Sequence, residues 1–248
     1  MTDFAADPSH PRYGSLLLRH KLELAAEKGM LAGSALIAHG RGEAFDYLIG
    51  EQTSTFASDA IDAALHALVH AQHPIICVNG NVAGLAGEEI LRLATLLGCP
   101  VEINIFYRTE QRMEAIYHHL DSIRTKSQFE VNILGREPNS RIPNLEGPRA
   151  MCEKDGILNS DVILVPLEDG DRCEALRAMG KTVIVIDLNP LSRSSQKASI
   201  TIVDELTRCI SEMCHRLKHQ SFNHTPQVWD NTANLDGSLD LIRHGMKH

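Results

Sequence analysis

The sequence predicts an α/β fold: a Rossmann-like, doubly wound, mainly parallel sheet with helices on both faces and an added N-terminal helical segment. Three observations predict it. From Pro74 onward, short apolar runs alternate with amphipathic stretches, and parallel neighbours need such crossover connections. Two amphipathic segments precede the first of those runs. The length of 248 residues, with 43% hydrophobic content, supports a substantial core and falls within the range of one doubly wound sheet.

From Pro11 to Lys28 the residues Leu16, Leu17, Leu22, Leu24 and Ala25 recur at near-helical spacing, and Gly29 stands where a helix stop is expected. Ser58 to Ala71 repeats the pattern through Ile61, Ala64, Leu65 and Leu68. The strand Ile75 to Val78 leads to a helix near Gly87 to Leu97, and Val101 to Ile105 to one near Thr109 to Leu120. Val131 to Leu134 enters a long loop, while Val162 to Val165 precedes a helix around Asp171 to Met179. Thr182 to Asp187 and Ile200 to Val203 complete the strands, with a helix near Asp204 to Leu217. Residues 1–218 read as a single domain. From His219 on, polar residues around the lone Trp229 show little periodicity, so 219–248 is expected to be a variable, loosely docked tail.

A net charge of −8 provides no broad basic field, which argues against a nucleic-acid partner. No apolar run is long enough to span a membrane, and Met1 to His10 lacks a basic start and an apolar stretch. A cytoplasmic protein with no membrane association is therefore expected. The six cysteines contain no Cys-x-x-Cys pair and read as reduced structural thiols. His118 and His119 are chain neighbours that would point to different sides of a helix, so no histidine metal site is expected.

In open α/β sheets ligands sit beyond the carboxyl ends of the strands. The residues there are Asn79, Gly80 and Asn81; Tyr107 and Arg108; Gly135 and Arg136; Glu168, Asp169, Gly170, Asp171 and Arg172; then Asp187, Asn189, Ser192 and Arg193. Glycines, amides, carboxylates and arginines on one edge suit a ribose, a phosphate and a metal. The string Ala38 to Tyr47 flanks Arg41 with Gly40 and Gly42 and then turns amphipathic. As a helix start it would offer amides and a guanidinium to a phosphate; the competing reading is a surface turn. Gly180-Lys181-Thr182 imitates the end of a Walker A loop, yet Ala175 replaces the first glycine and the triplet enters a strand. A dinucleotide fingerprint fails too, because Gly170 lacks its companion glycines, although Asp187 keeps the ribose role open.

The strings His10-Pro11-Arg12-Tyr13, Leu36 to Glu51, Val78 to Ala83, Asn104 to Arg108, Arg141-Ile142-Pro143, Val165 to Arg172 and Ile186 to Ser194 occur in order. Over roughly His10 to Leu217 the chain resembles the archaeal phosphopantothenate synthetases, also called 4-phosphopantoate:β-alanine ligases. The resemblance implies a homodimeric enzyme of coenzyme A biosynthesis. It would join 4-phosphopantoate to β-alanine with ATP and Mg²⁺, releasing AMP and diphosphate through an acyl adenylate. No protein nucleophile is then needed, in keeping with a chain lacking a Ser-His-Asp or Cys-His signature.

Carried over by position, Arg19 and Arg41 resemble the family's ATP-binding arginine pair and are the expected catalytic cations. Asp169-Gly170-Asp171 and Asp187-Leu188-Asn189 match segments of its ATP site. Gly170 would allow close approach to the nucleotide, and the carboxylates would meet ribose hydroxyls or magnesium. Asn79, Asn81 and Arg108 are the expected contacts to phosphopantoate, with loop fixing as their alternative role. Which carboxylate holds magnesium stays open. The competing functions are a kinase or ADP-forming ligase on a related acid and a non-catalytic ATP-binding regulator. The nucleotide product separates them.

Overall fold

The computed structural model describes residues 4, 6–167, 169–222 and 228–245; Glu168, one of the strand-end carboxylates named above, lies outside them. The main sheet contains β1 (Pro74–Val78), β2 (Val101–Ile103), β3 (Ile133–Leu134), β6 (Val162–Pro166), β7 (Thr182–Ile186) and β8 (Ile200–Ile202). A separate antiparallel pair, β4 (Ser140–Arg141) and β5 (Met151–Cys152), interrupts the series. The spatial order is β3-β2-β1-β6-β7-β8, with every neighbouring pair parallel. The chain winds outward from β1 to one edge, then outward from β6 to the other. The order reverses between β1 and β6, which opens a crevice beyond their carboxyl ends.

Strands covered on both sides are expected to be largely apolar, and these are, with Glu102, Thr182 and Thr201 as exceptions. Ile76, Val78, Leu164, Ile184 and Ile186 join one core; Ile75, Cys77, Ile163, Val165, Val183 and Val185 join the other. The first core is covered by α1 (Tyr13–Glu27), α3 (Thr55–Val69), α4 (Gly80–Leu97), α5 (Glu110–Ser127) and α8 (Leu206–His219). The second lies under α6 (Gly170–Ala178) and the 142–158 segment. All six cysteines are buried and none forms a disulfide, as expected of structural thiols.

Four segments differ from the sequence expectation. The Ala38–Tyr47 string does not open a helix, because α2 (Ala35–Leu48) begins upstream. Ala35, Leu36 and Ile37 extend the helix past the glycines, so the amides around Arg41 belong to the backbone ladder and form no phosphate cradle. Helix α4 begins at Gly80, where Asn79 Oδ1 accepts from Val82 N–H at 3.1 Å. A kink at Ala86, φ −136°, separates this glycine-rich first half from the part that reads as helical in sequence. A short α7 (Arg193–Lys197) follows the turn after β7.

The tail carries α9 (Asn231–His244), which docks firmly. Strand β8 ends the sheet, so the outward N–H and C=O of Thr201 need partners. Asn231 Oδ1 accepts from Thr201 N–H at 2.7 Å, and Asn234 Nδ2 donates to Thr201 C=O at 2.8 Å. Buried Leu235 and Ser238 complete the contact. Amides rather than an apolar stripe anchor this helix, and hydrophobic periodicity cannot reveal that.

Beneath the crevice, Glu102 on β2 is fully buried and accepts from Glu153 N–H at 3.0 Å and Ile157 N–H at 2.7 Å. It pins the 153–157 turn, where Gly156 approaches the carboxylate so closely that a side-chain carbon has no room. Burial pushes its pKa from 4.5 up to about 7, against the pull of those two amides. The folded protein thus holds this proton more tightly than the unfolded chain. Its contribution is complete below the unfolded value and lost as pH rises through the folded one. Stability in urea is expected to fall by about 3 kcal/mol across this window. Glu102→Gln should flatten the fall, and an unchanged slope would exclude Glu102 as the titrating group.

Candidate active site

A cleft of about 600 Å³ opens at the crevice between the ends of β1 and β6. The turns after five of the six main strands reach it: Asn79, Gly80 and Asn81; Ile105, Phe106 and Tyr107; Leu167; Leu188; and the segment from Asp204 to Arg208. Helices α1 and α2 form the opposite wall through Arg12, Ser15, Lys21, His39, Glu43 and Asp46. Asn79 ties the crevice together, since its Nδ2 donates to Leu167 C=O at 3.1 Å across the point where strand order reverses. Asn81 Nδ2 donates to Ala35 C=O at 3.2 Å and fixes the start of α4 against α2.

Glu43 organises the helical wall. It receives Arg12 Nη2 at 2.8 Å, the Ser15 hydroxyl, and both Nε and Nη2 of Arg19, the latter at 2.8 Å. Burial raises the Glu43 pKa, but the bonds from Arg19 and Ser15 outweigh it and hold the carboxyl below its usual range. Arg19 gains from the same bond, which moves its pKa upward. Burial keeps the His39 imidazole below its ordinary pKa, and its Nε2 has no hydrogen-bond partner among the described residues.

Arg19 and Arg41 are not brought together in the single chain. Arg41 stands two residues from Glu43, and positions two apart on a helix project about 200° apart. Arg41 instead neighbours Asp187, whose pKa burial raises while Ser192, Asn189 and the Arg41 charge oppose the rise. Asp187 receives Ser192 Oγ at 2.6 Å and Asn189 N–H at 2.9 Å, so it shapes its own turn. Leu188 presses against α2, where an added carbon on Gly42 would lie 3.6 Å from Leu188 Cδ1.

Asp169 and Asp171 line a second depression of about 430 Å³. Asp169 caps α6 through Arg172 N–H at 3.1 Å and pairs with Arg149 at 3.2 Å. Asp171 pairs with Arg193, whose side-chain stem fills the space over Gly170. Arg108 Nη2 donates to Gly135 C=O at 2.7 Å, a loop-fixing contact, and the residue does not line the cleft.

Several cleft residues were invisible in the sequence. Arg208 Nη2 reaches Asp46 Oδ1 at 2.6 Å and its Nε reaches Asp204 Oδ1 at 2.8 Å. These carboxylates raise the Arg208 pKa although burial works the other way. Lys21, Arg112, Arg149 and Glu205 also line the cleft. Lys21 and Arg112 lie on helices whose polar residues read as solvated faces. Only the position of Glu205 directly after a strand was a usable signal.

The family described as phosphopantothenate/pantothenate synthetase matches residues 56–245. A protein of Thermococcus kodakarensis named 4-phosphopantoate--beta-alanine ligase is 53% identical over 241 residues, covering 95% of this chain and 91% of its own. The chain belongs to the phosphopantothenate synthetase family. Same-named proteins of Thermococcus onnurineus and Methanosarcina mazei are 48% and 42% identical, the latter over 100% of this chain and 97% of its own. The family match runs through α9, so the docked tail helix is part of the phosphopantothenate synthetase pattern. Among the described residues no helix is long and apolar enough to cross a membrane, and no three His, Cys, Asp or Glu side chains group to hold a metal ion.

Proposed function

We propose that the chain condenses 4-phosphopantoate with β-alanine to 4-phosphopantothenate in coenzyme A biosynthesis, converting ATP to AMP and diphosphate through an acyl adenylate. The observation that carries this reading is the identity of 42–53% along nearly the whole chain to proteins named for that ligase. The carboxylate oxygen of phosphopantoate attacks the α-phosphorus and diphosphate leaves; the β-alanine amine then attacks the acyl carbon and AMP leaves. Two anions must meet in the first step, and preorganised cations offset their repulsion. Arg41 beside Asp187-Leu188-Asn189 supplies positive charge at the nucleotide end. The Glu43 network orients Arg12 and Arg19 on the other side of α2, and Asn79 and Asn81 orient the acid. Asp169, Gly170 and Asp171 bound the nucleotide end from β6.

Magnesium fits as an ion carried by the nucleotide, because it uses phosphate oxygens, waters and one or two carboxylates rather than a protein cage. Asp187 beside Arg41, with Asp169 and Asp171 after β6, are the carboxylates at the nucleotide end that would hold it. When bound, it withdraws charge from the phosphates. A homodimer is supported by the outer face of α2, where Ile37 is 68% and Leu48 50% exposed on the same side as Arg41. Nucleotide and mass analysis test the reading together. AMP and diphosphate should form only when phosphopantoate, β-alanine and Mg²⁺ are all present, and the protein should sediment at twice the 27.4 kDa of the chain. ADP as product would overturn the activity, and a monomer would overturn the assembly.

A further inference from the structure

We propose that Lys21 and Arg112 form a phosphate-reading corner of the cleft that selects the phosphorylated acid over its unphosphorylated counterpart. This deepens the ligase reading above and rests on it. Other cations lining the cleft are neutralised in place: Arg12 by Glu43 and Glu51, Arg149 by Asp169, and Arg208 by Asp46 and Asp204. Among the described residues, Lys21 and Arg112 meet backbone carbonyls only. Lys21 Nζ donates to Leu85 C=O at 3.2 Å, and Arg112 donates to Tyr107 C=O and, through Nη2, to Met30 C=O at 3.1 Å. A carbonyl orients a cation without cancelling its charge. Arg112 Nε is buried with no hydrogen-bond partner among the described groups, and burial pulls the guanidinium pKa down. A desolvated cation without a counter-charge is costly to the protein alone and becomes favourable once an anion arrives.

Both cations line the same cleft, and each is fixed against the wall that α4 forms. Met30 C=O, which receives Arg112, abuts Gly80 so closely that no side-chain carbon fits there. Leu85 C=O, which receives Lys21, lies on the same helix just before the kink at Ala86. The amides of Gly80 and Asn81 begin α4 on the same wall and have no acceptor within the helix. Two full positive charges suit a phosphomonoester, which carries about two negative charges at neutral pH, better than a lone carboxylate. The family description spans phosphopantothenate and pantothenate synthetases, so this phosphate is the feature that separates its activities. The competing occupant, the ATP phosphates, would belong near Arg41 and Asp187, across α2 from this corner.

The test compares Lys21→Met and Arg112→Met with the unaltered protein on 4-phosphopantoate and on pantoate. The kcat/KM ratio of phosphorylated to unphosphorylated acid is expected to collapse by on the order of a hundredfold in each variant, with the KM for ATP unmoved. Equal losses on both acids, or a raised KM for ATP, would overturn the inference by assigning the cations to the nucleotide. Lys21→Arg and Arg112→Lys, which keep the charge, should retain part of the ratio and guard against a folding defect. Equilibrium binding of each acid without ATP forms a separate arm. Should the unaltered protein release no diphosphate, the ligase reading fails, yet tighter binding of 4-phosphopantoate than pantoate, lost in both methionine variants, still supports the corner. Equal binding of both acids by the unaltered protein would overturn it.

Discussion

Arg41→Ala is expected to lower kcat by on the order of a hundredfold while leaving the KM for ATP within a few-fold of its original value. The side chain is exposed on α2 and takes no part in the Glu43 network, so its removal opens no cavity in the core. Its charge acts on Asp187 at the carboxyl end of β7, on the sheet edge where open α/β folds bind ligands. A charge there matters most while negative charge builds up between the acid and the α-phosphate. Steady-state kinetics with single-turnover diphosphate release checks this, and Arg41→Lys should recover part of the loss. Turnover at the original rate in Arg41→Ala would remove the residue from the catalytic set. A large rise in KM with kcat intact would make it a ground-state binding residue instead.

Arg208→Met is expected to destabilise the fold by about 3 kcal/mol, the lower end of the range for breaking a buried ion pair, because the side chain is 27% exposed. The change leaves Asp204, whose side chain is fully buried, and Asp46 facing each other across the cleft wall without their shared cation. Thr53 Oγ1 still donates to Asp204 at 2.6 Å, which limits the damage on that side. For a chain of this length the loss corresponds to a fall in Tm of roughly 6–12 °C. Adding Asp46→Asn should restore part of it, because removing one of two unpaired acids relieves their repulsion. A melting curve indistinguishable from that of the unaltered protein would show that the Arg208 pairs contribute nothing net.

The winding of the chain was legible because it rests on local signals. The strands of the main sheet are short, mostly apolar runs, and the crossover helices carry their own stripes, so the six-strand series could be read without any long-range information. The strand-end rule located the cleft for the same reason, since Asn79, Asn81 and Leu188 follow directly from where strands stop. Helix α9 was missed because two asparagines, not leucines, hold it to β8. The start of α4 was missed because Gly80, Asn81 and Gly84 look like a turn until Asn79 caps them.

By itself, then, the order of residues determined the α/β class, the strand series, the burial of the cysteines and the edge of the sheet that carries chemistry. All of these follow from the period and polarity of neighbouring residues. Tertiary structure alone decided which cations keep their charge. Arg19 and Arg208 look no different from Arg112 in the sequence, yet folding places carboxylates against the first two and only carbonyls against the third. Apart from Asp204, four residues from Arg208, the neutralising groups lie 24 residues away for Arg19 and 162 for Arg208, and side-chain periodicity carries no record of them.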